Sequence, residues 1–197
     1  RLFAEGAFNA AFVPMFAGVL TAEGRDAARR FAGEALSVMV VTVFVFVSVL
    51  QMAMPLAMFG LAPGFAATPE TFDLAVELTQ ITFPYLLFIS LVSLMGGVLN
   101  SLGRFAAAAA TPILLNVTHI AALLLLAPRM ETAGHALAWG VAAAGLVQFL
   151  WLATALARAG MSLRLTWPRL TPRVRELLWL MLPGVIGAGV VQINLLA

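Results

Sequence analysis

Arg1-Leu2-Phe3-Ala4-Glu5-Gly6-Ala7-Phe8-Asn9-Ala10-Ala11-Phe12-Val13-Pro14 opens the chain. Arg1 and Glu5 stand four residues apart, a spacing that puts two side chains on one helix face, at the head of an otherwise apolar segment. Charge in such a segment is costly where the surroundings are lipid, so the pair implies a partner, a polar cavity or a nearby membrane surface. Two readings fit it: an intrahelical pair that snorkels to the headgroups near a helix end, or a charge pair lining a hydrated cavity. The stretch lacks an initiator methionine, and the expectation is a fragment cut inside a helix.

Beyond this stretch the chain stays apolar. Hydrophobic residues make up 62% of it and charged residues 10%, with a mean hydropathy of +1.02; a soluble domain has roughly 45–50% and about 25%. The class is therefore a polytopic membrane protein. At about 20 residues per crossing, the sequence has room for five or six helical spans and no extramembrane domain. Apolar runs, breakers and charges place helical segments at 1 to 20, 33 to 61, 70 to 102, 105 to 127, 133 to 158 and 174 to 197. Thr68 is positioned to cap the third segment, with Pro69 at its first helical position and Glu70 and Asp73 near its positive end.

The pI of about 10.4 comes from a net charge of +2 in which every basic side chain is arginine. No basic stripe with interleaved aromatics exists, which argues against nucleic acid as a partner. There are no cysteines, so disulfides and thiolate chemistry are excluded. The first apolar stretch lacks the basic leader of a signal peptide. Arginines instead mark alternate loops: Arg25, Arg29 and Arg30, then Arg104, then Arg158, Arg164, Arg169, Arg173 and Arg175, against Arg129 alone on the other side. By the positive-inside rule, the loops near 25, 104 and 165 are cytoplasmic and the first helix runs inward. The stretch from Gly160 to Pro172, with Trp167 and Pro168, reads as an interfacial linker between two bundles.

Polar residues inside the spans are the candidate functional positions. Pro84 removes a main-chain hydrogen bond in mid-helix, frees the carbonyl near Gln80 and predicts a kink. Glu77 and Gln80 share nearly one face of that helix. Gating or cavity lining is one role for such a kink, and helix packing is the other. Asn100, Asn116 and His119 read as structural polar residues; a proton relay at His119 is the alternative to an interhelical hydrogen bond. Gln148, Gln192 and Asn194 carry the same interhelical reading. Asn116-Val117-Thr118 matches a glycosylation sequon but lies in an apolar helix. Small residues four apart, Ala136, Gly140 and Ala144, and likewise Gly184 and Ala188, predict close helix packing. No metal cluster, phosphate-cradling loop, nucleophilic triad or cytoplasmic carboxylate cluster is present in the sequence, which disfavours an enzyme.

The ordered strings Arg1 to Phe8 with Ala11-Phe12-Val13-Pro14, Ala62-Pro63-Gly64-Phe65, Ile81-Thr82-Phe83-Pro84-Tyr85-Leu86, Leu99-Asn100-Ser101-Leu102-Gly103-Arg104-Phe105, Pro112-Ile113-Leu114-Leu115-Asn116, Leu137-Ala138-Trp139-Gly140-Val141 and Gln192-Ile193-Asn194-Leu195-Leu196 span nearly the whole sequence. Together they resemble the MurJ/MviN lipid II flippases of the multidrug/oligosaccharidyl-lipid/polysaccharide exporter superfamily. The resemblance implies an all-α polytopic membrane protein with six transmembrane segments here, most of the N-terminal lobe of a two-lobe exporter fold. Residues 1–159 would be helices two to six of that lobe, 160–173 a cytoplasmic linker, and 174–197 the start of the second lobe's helix seven.

The function so implied is the transport of lipid II, the undecaprenyl-pyrophosphate-linked cell-wall precursor, from inner to outer leaflet of the bacterial cytoplasmic membrane by alternating access. The implied partners are lipid II and membrane lipid. No cofactor is implied beyond coupling to sodium or the membrane potential, with its site outside this sequence. A cationic cavity suits the pyrophosphate. Arg1 would be the second member of an arginine pair, Glu5 the acidic member of the motif that follows, and Asn9 a further cavity position. One departure is Gln80, where relatives often carry a basic residue. Another exporter of the superfamily, or a membrane enzyme of lipid-linked sugar metabolism, is the alternative.

Overall fold

A computed structural model of the chain describes residues 2–62, 64, 65 and 68–196, with side chains from Phe8 to Gly184 and at Ile186 and Gly187. Every regular element among the described residues is helical: α1 Leu2–Glu23, α2 Arg25–Met52, α3 Met54–Leu61, α4 Pro69–Thr82, α5 Tyr85–Ser101, α6 Phe105–Ala109, α7 Thr111–Leu125, α8 Ala133–Arg158 and α9 Pro172–Leu196, with a short 3-10 turn at Ala127–Arg129. Four stretches are long and apolar enough to cross a membrane, namely Arg25–Met52, Pro69–Ser101, Phe105–Arg129 and Ala133–Arg158. Away from their proline interruptions the peptide groups of these stretches bond within the helix, which is what a lipid surround demands. Large apolar side chains such as Phe44, Val49, Ile113, Val117, Ile120 and Leu124 are exposed, the sort of surface that lipid rather than water covers.

The helix boundaries correct the sequence segments in four places, and proline is responsible at three of them. The segment read as 33 to 61 begins at Arg25 and breaks at Ala53, because Pro55 cannot donate in the first turn of α3. That read as 70 to 102 is interrupted at Phe83 and Pro84, where the predicted kink falls; Phe83 keeps right-handed helical dihedrals, so α4 and α5 follow one another across a two-residue interruption. The one read as 105 to 127 breaks at Ala110 ahead of Pro112. Thr68 does occupy the extended N-cap position before Pro69, but its side chain makes no capping bond.

Two compact units organise these helices. The first comprises Arg1–Val41, Ser90–Ala109 and Trp151–Ala197. Its core is a run of rings four residues apart on α1: Phe12 stacks on Phe8 at 5.1 Å and on Phe16 at 5.7 Å, and it meets Phe31 of α2 at 5.7 Å. Leu94, Val98 and Leu99 of α5 and Leu152 and Leu156 of α8 are buried in the same unit. Along α1 lies α9. Met161–Thr171 has no regular structure and is held on α2: the Thr166 amide donates to Ser37 Oγ at 2.8 Å, and Thr171 Oγ1 donates to Glu34 Oε2 at 2.9 Å. Arg25 and Arg29 donate to the carbonyls of Ala159 and Gly160, so cations close the C-terminal end of α8.

The second unit comprises Thr42–Ile89 and Ala110–Leu150. Here α3 packs on α4, with Met54 and Met58 buried and Phe59 against Phe72. Ala136, Gly140 and Ala144 form the buried face the sequence predicts. A Cβ on Gly140 would stand 2.8 Å from Ala122 Cβ, which shows how closely α7 and α8 approach. Gly184 of the other small-residue pair is exposed, and the Ala188 side chain lies outside the described residues.

Candidate functional site

Of the residues singled out from the sequence, Arg1 lies outside the described residues, as do the side chains of Glu5, Gln192 and Asn194. Asn9, one turn further along α1 than Glu5, is described. Its Nδ2 donates to Ser93 Oγ of α5 at 3.2 Å, while its Oδ1 is buried without a hydrogen-bond partner. A Cβ at Gly97 would come 2.8 Å from that oxygen, so the glycine is what admits the Asn9 side chain to the face of α5.

In the second unit, the break at Pro84 has a specific complement. The Gln80 carbonyl, whose helical donor would be the missing amide of Pro84, accepts from Gln51 Nε2 at 2.9 Å. Gln80 Nε2 returns a bond of 3.3 Å to the Gln51 carbonyl, which lacks a helical donor for the same reason, since Pro55 stands four residues on. Reasoning from sequence found Gln80 and Pro84 but missed Gln51. The signal was there: Gln51 to Pro55 repeats the spacing of Gln80 to Pro84.

Glu77, a turn before Gln80, lies 3.4 Å from His135 Nε2. His135 is buried; its Nδ1 meets Thr132 Oγ1 at 2.9 Å and its amide donates to the same oxygen at 3.3 Å. Thr132 is thus the N-cap of α8. His135 was also missed, and the signal for it is the threonine three residues before it. His119, by contrast, packs beside Gly140 across the α7 and α8 contact. Asn116 is exposed, and Thr118 Oγ1 donates back to the Leu114 carbonyl of its own helix. Asn100 lies in the last turn of α5, where its carbonyl accepts from the Gly103 amide at 3.0 Å. Gln148 bears out its interhelical reading: it is buried, donates to the Thr111 carbonyl at 2.7 Å and accepts from Tyr85 at 3.4 Å.

Electrostatically the two units differ. Arg129 is the one arginine in the sequence of the second unit, which also carries Glu70, Asp73, Glu77 and Glu131; the remaining arginines belong to the first. Three of the first unit's loop cations are engaged, Arg25 and Arg29 on carbonyls and Arg173 on Glu23 at 2.5 Å. The hydrogen bond and charge of Glu23 push the Arg173 guanidinium above its ordinary pKa. Among the described residues no group of histidines and carboxylates is arranged to hold a metal ion.

All-helical elements, stretches of spanning length and breaks sealed by side-chain amides define a polytopic membrane protein. The family model of lipid II flippase MurJ matches residues 1–197, and the chain belongs to that family. It is 46% identical over 200 residues to the probable lipid II flippase MurJ of Rhizobium tropici, covering 99% of this chain and 37% of that protein. The probable lipid II flippase MurJ of Rhizobium meliloti (strain 1021) is also 46% identical, over 100% of this chain and 37% of its own length. The lipid II flippase MurJ of Burkholderia cenocepacia is 36% identical, over 100% of this chain and 39% of its own. The chain therefore spans well under half the length of these relatives.

Proposed function

We propose that this chain forms part of a transporter that carries lipid II from the inner to the outer leaflet of the bacterial cytoplasmic membrane. The observation that carries the reading is the family match over residues 1–197, with relatives of that name 46% identical across the chain. The segregation of arginines into alternate loops supports an orientation with the loops near 25, 104 and 165 in the cytoplasm. In this reading residues 1–159 belong to the N-terminal lobe, 160–173 form a linker and 174–197 begin the second lobe. Transport proceeds by alternating access, with coupling to sodium or the membrane potential through residues outside this chain.

Arg1, Glu5 and Asn9 are the proposed cavity positions. Arg1 attracts the pyrophosphate, Glu5 orients neighbouring cations, and Asn9 continues their helix face toward α5. The breaks at Pro55 and Pro84 are the proposed bending points. The test is complementation of cells depleted of their native flippase by the full-length protein. Arg1→Ala and Glu5→Ala are expected to abolish growth at normal protein levels; full growth with both would remove these residues from the mechanism. A periplasmic-accessibility assay for lipid II, failing to respond to the wild-type protein, would exclude the substrate.

A further inference from the structure

The end of α5, the start of α6 and the end of α8 line an open cavity of about 650 Å³ in the first unit. Two arginines, Arg104 and Arg158, are on its wall beside Leu99, Ala107, Trp151 and Ala155. Both residues are exposed, and neither has an ion pair or a side-chain hydrogen bond among the described residues. Arg25, Arg29, Arg129 and Arg173 all have such partners.

The main chain fixes where these two arginines emerge. Helix α5 ends with Gly103 at φ 73°, where the Arg104 amide bonds the Leu99 carbonyl at 2.8 Å and the Gly103 amide bonds that of Asn100 at 3.0 Å. Helix α8 ends in the same way: Gly160 has φ 67°, the Met161 amide bonds Leu156 at 3.0 Å and the Gly160 amide bonds Ala157 at 3.0 Å. Both ends are Schellman motifs, which need a residue at ease with positive φ. Arg104 follows one glycine directly and Arg158 precedes the other by two residues. Trp151 is pinned as well, its indole donating to the Ala107 carbonyl at 3.0 Å, and the residue remains 41% exposed.

We propose that this cavity is a binding site for the phosphate headgroup of an anionic glycerophospholipid, with the first part of its acyl chain along the apolar wall. Two guanidinium groups on one wall supply positive charge and forked N–H donors, the chemistry that recognises a phosphate diester. The apolar wall and an aromatic ring at the end of a spanning helix suit a lipid and are of no use to a free phosphate ion. The site is separate from the residues assigned to lipid II, and its test reads lipid retention instead of transport.

The experiment is native mass spectrometry of the detergent-purified full-length protein, titrated with phosphatidylglycerol, phosphatidylcholine or inorganic phosphate. Phosphatidylglycerol is expected to be retained about tenfold more strongly than phosphatidylcholine, with inorganic phosphate neither retained nor displacing it. Arg104→Gln with Arg158→Gln should abolish that preference. Arg104→Lys with Arg158→Lys should keep part of it, and Arg129→Gln, on a different loop, should keep all of it. Thermal unfolding of each variant reports whether it is folded, and the lysine pair tests the charge even where the glutamine pair is unstable. Unchanged preference in the glutamine pair, equal retention of phosphatidylcholine, displacement by inorganic phosphate or an equal loss in Arg129→Gln would each overturn the site.

Discussion

Gln51 and Gln80 exchange side-chain hydrogen bonds with each other's main-chain carbonyls, Gln51 Nε2 to Gln80 at 2.9 Å and Gln80 Nε2 to Gln51 at 3.3 Å. Each carbonyl is orphaned by a proline four residues ahead, and in a lipid surround no water would replace the lost donor. The pair therefore seals two helix breaks at once.

Gln51→Leu removes the donor to Gln80 and is expected to lower stability by about 1 kcal/mol, the range for interhelical hydrogen bonds in membranes. Pro84→Ala supplies a main-chain amide that takes the Gln80 carbonyl, after which Gln51 has nothing to repair there. The penalty of Gln51→Leu should then fall by more than half in the Pro84→Ala background, read from thermal unfolding midpoints in detergent. Equal penalties in both backgrounds would show that Gln51 stabilises the fold in some other way.

Ser37 anchors the linker. Its buried hydroxyl donates to the Gly33 carbonyl at 2.7 Å and accepts from the Thr166 amide at 2.8 Å. A Cβ at Gly33 would stand 2.9 Å from the Arg164 carbonyl oxygen. Ser37→Ala should thus loosen residues 162 to 171, and Gly33→Val should displace them. Limited trypsin digestion reads this directly, because Arg164 and Arg169 are exposed in the linker. Cleavage there is expected to quicken by about three- to tenfold in Ser37→Ala, from a hydrogen bond worth about 0.5–1.5 kcal/mol. An unchanged rate would mean that the linker is held by its other contacts.

The class of fold was legible because composition and span length leave a chain of this hydropathy few alternatives, and the loop arginines were visible one by one. Helix breaks were legible where a proline falls in mid-run, as at Pro84, but their extent was not, since one orphaned carbonyl permits either a kink or a break. Gln51 escaped notice because its role depends on Gln80, 29 residues away, and pairings of that kind are set by tertiary packing. The partners of Asn9 and His135 were hidden for the same reason. Sequence shows which polar groups a membrane helix carries, and the neighbouring helix decides what satisfies them.

Glycine serves two ends here, and substitution separates them. Gly140→Ala places a methyl group 2.8 Å from Ala122 Cβ and is expected to cost about 1–3 kcal/mol, as overpacking does. Gly18 lies within α1 with nothing within 4 Å of an added Cβ, so Gly18→Ala should be neutral or stabilising by up to about 1 kcal/mol. A Gly140→Ala unfolding midpoint at or above that of the wild type would contradict the close approach of α7 and α8.

Thr132, His135 and Glu77 form a short chain whose links differ in strength. Thr132 Oγ1 accepts from the His135 amide at 3.3 Å and meets its ring at 2.9 Å, whereas the Glu77 side chain is 59% exposed and stands 3.4 Å from Nε2. An N-cap is worth about 1 kcal/mol, and an exposed charge contact usually less. Thr132→Ala is therefore expected to destabilise more than Glu77→Gln, with Thr132→Ser close to wild type because serine keeps the capping oxygen. If instead His135 passes protons to Glu77, Glu77→Gln would impair complementation at unchanged stability and Thr132→Ala would not. Measuring both quantities on the same three variants decides between a cap that fixes the start of α8 and a titrating pair that serves transport, and the geometry favours the cap.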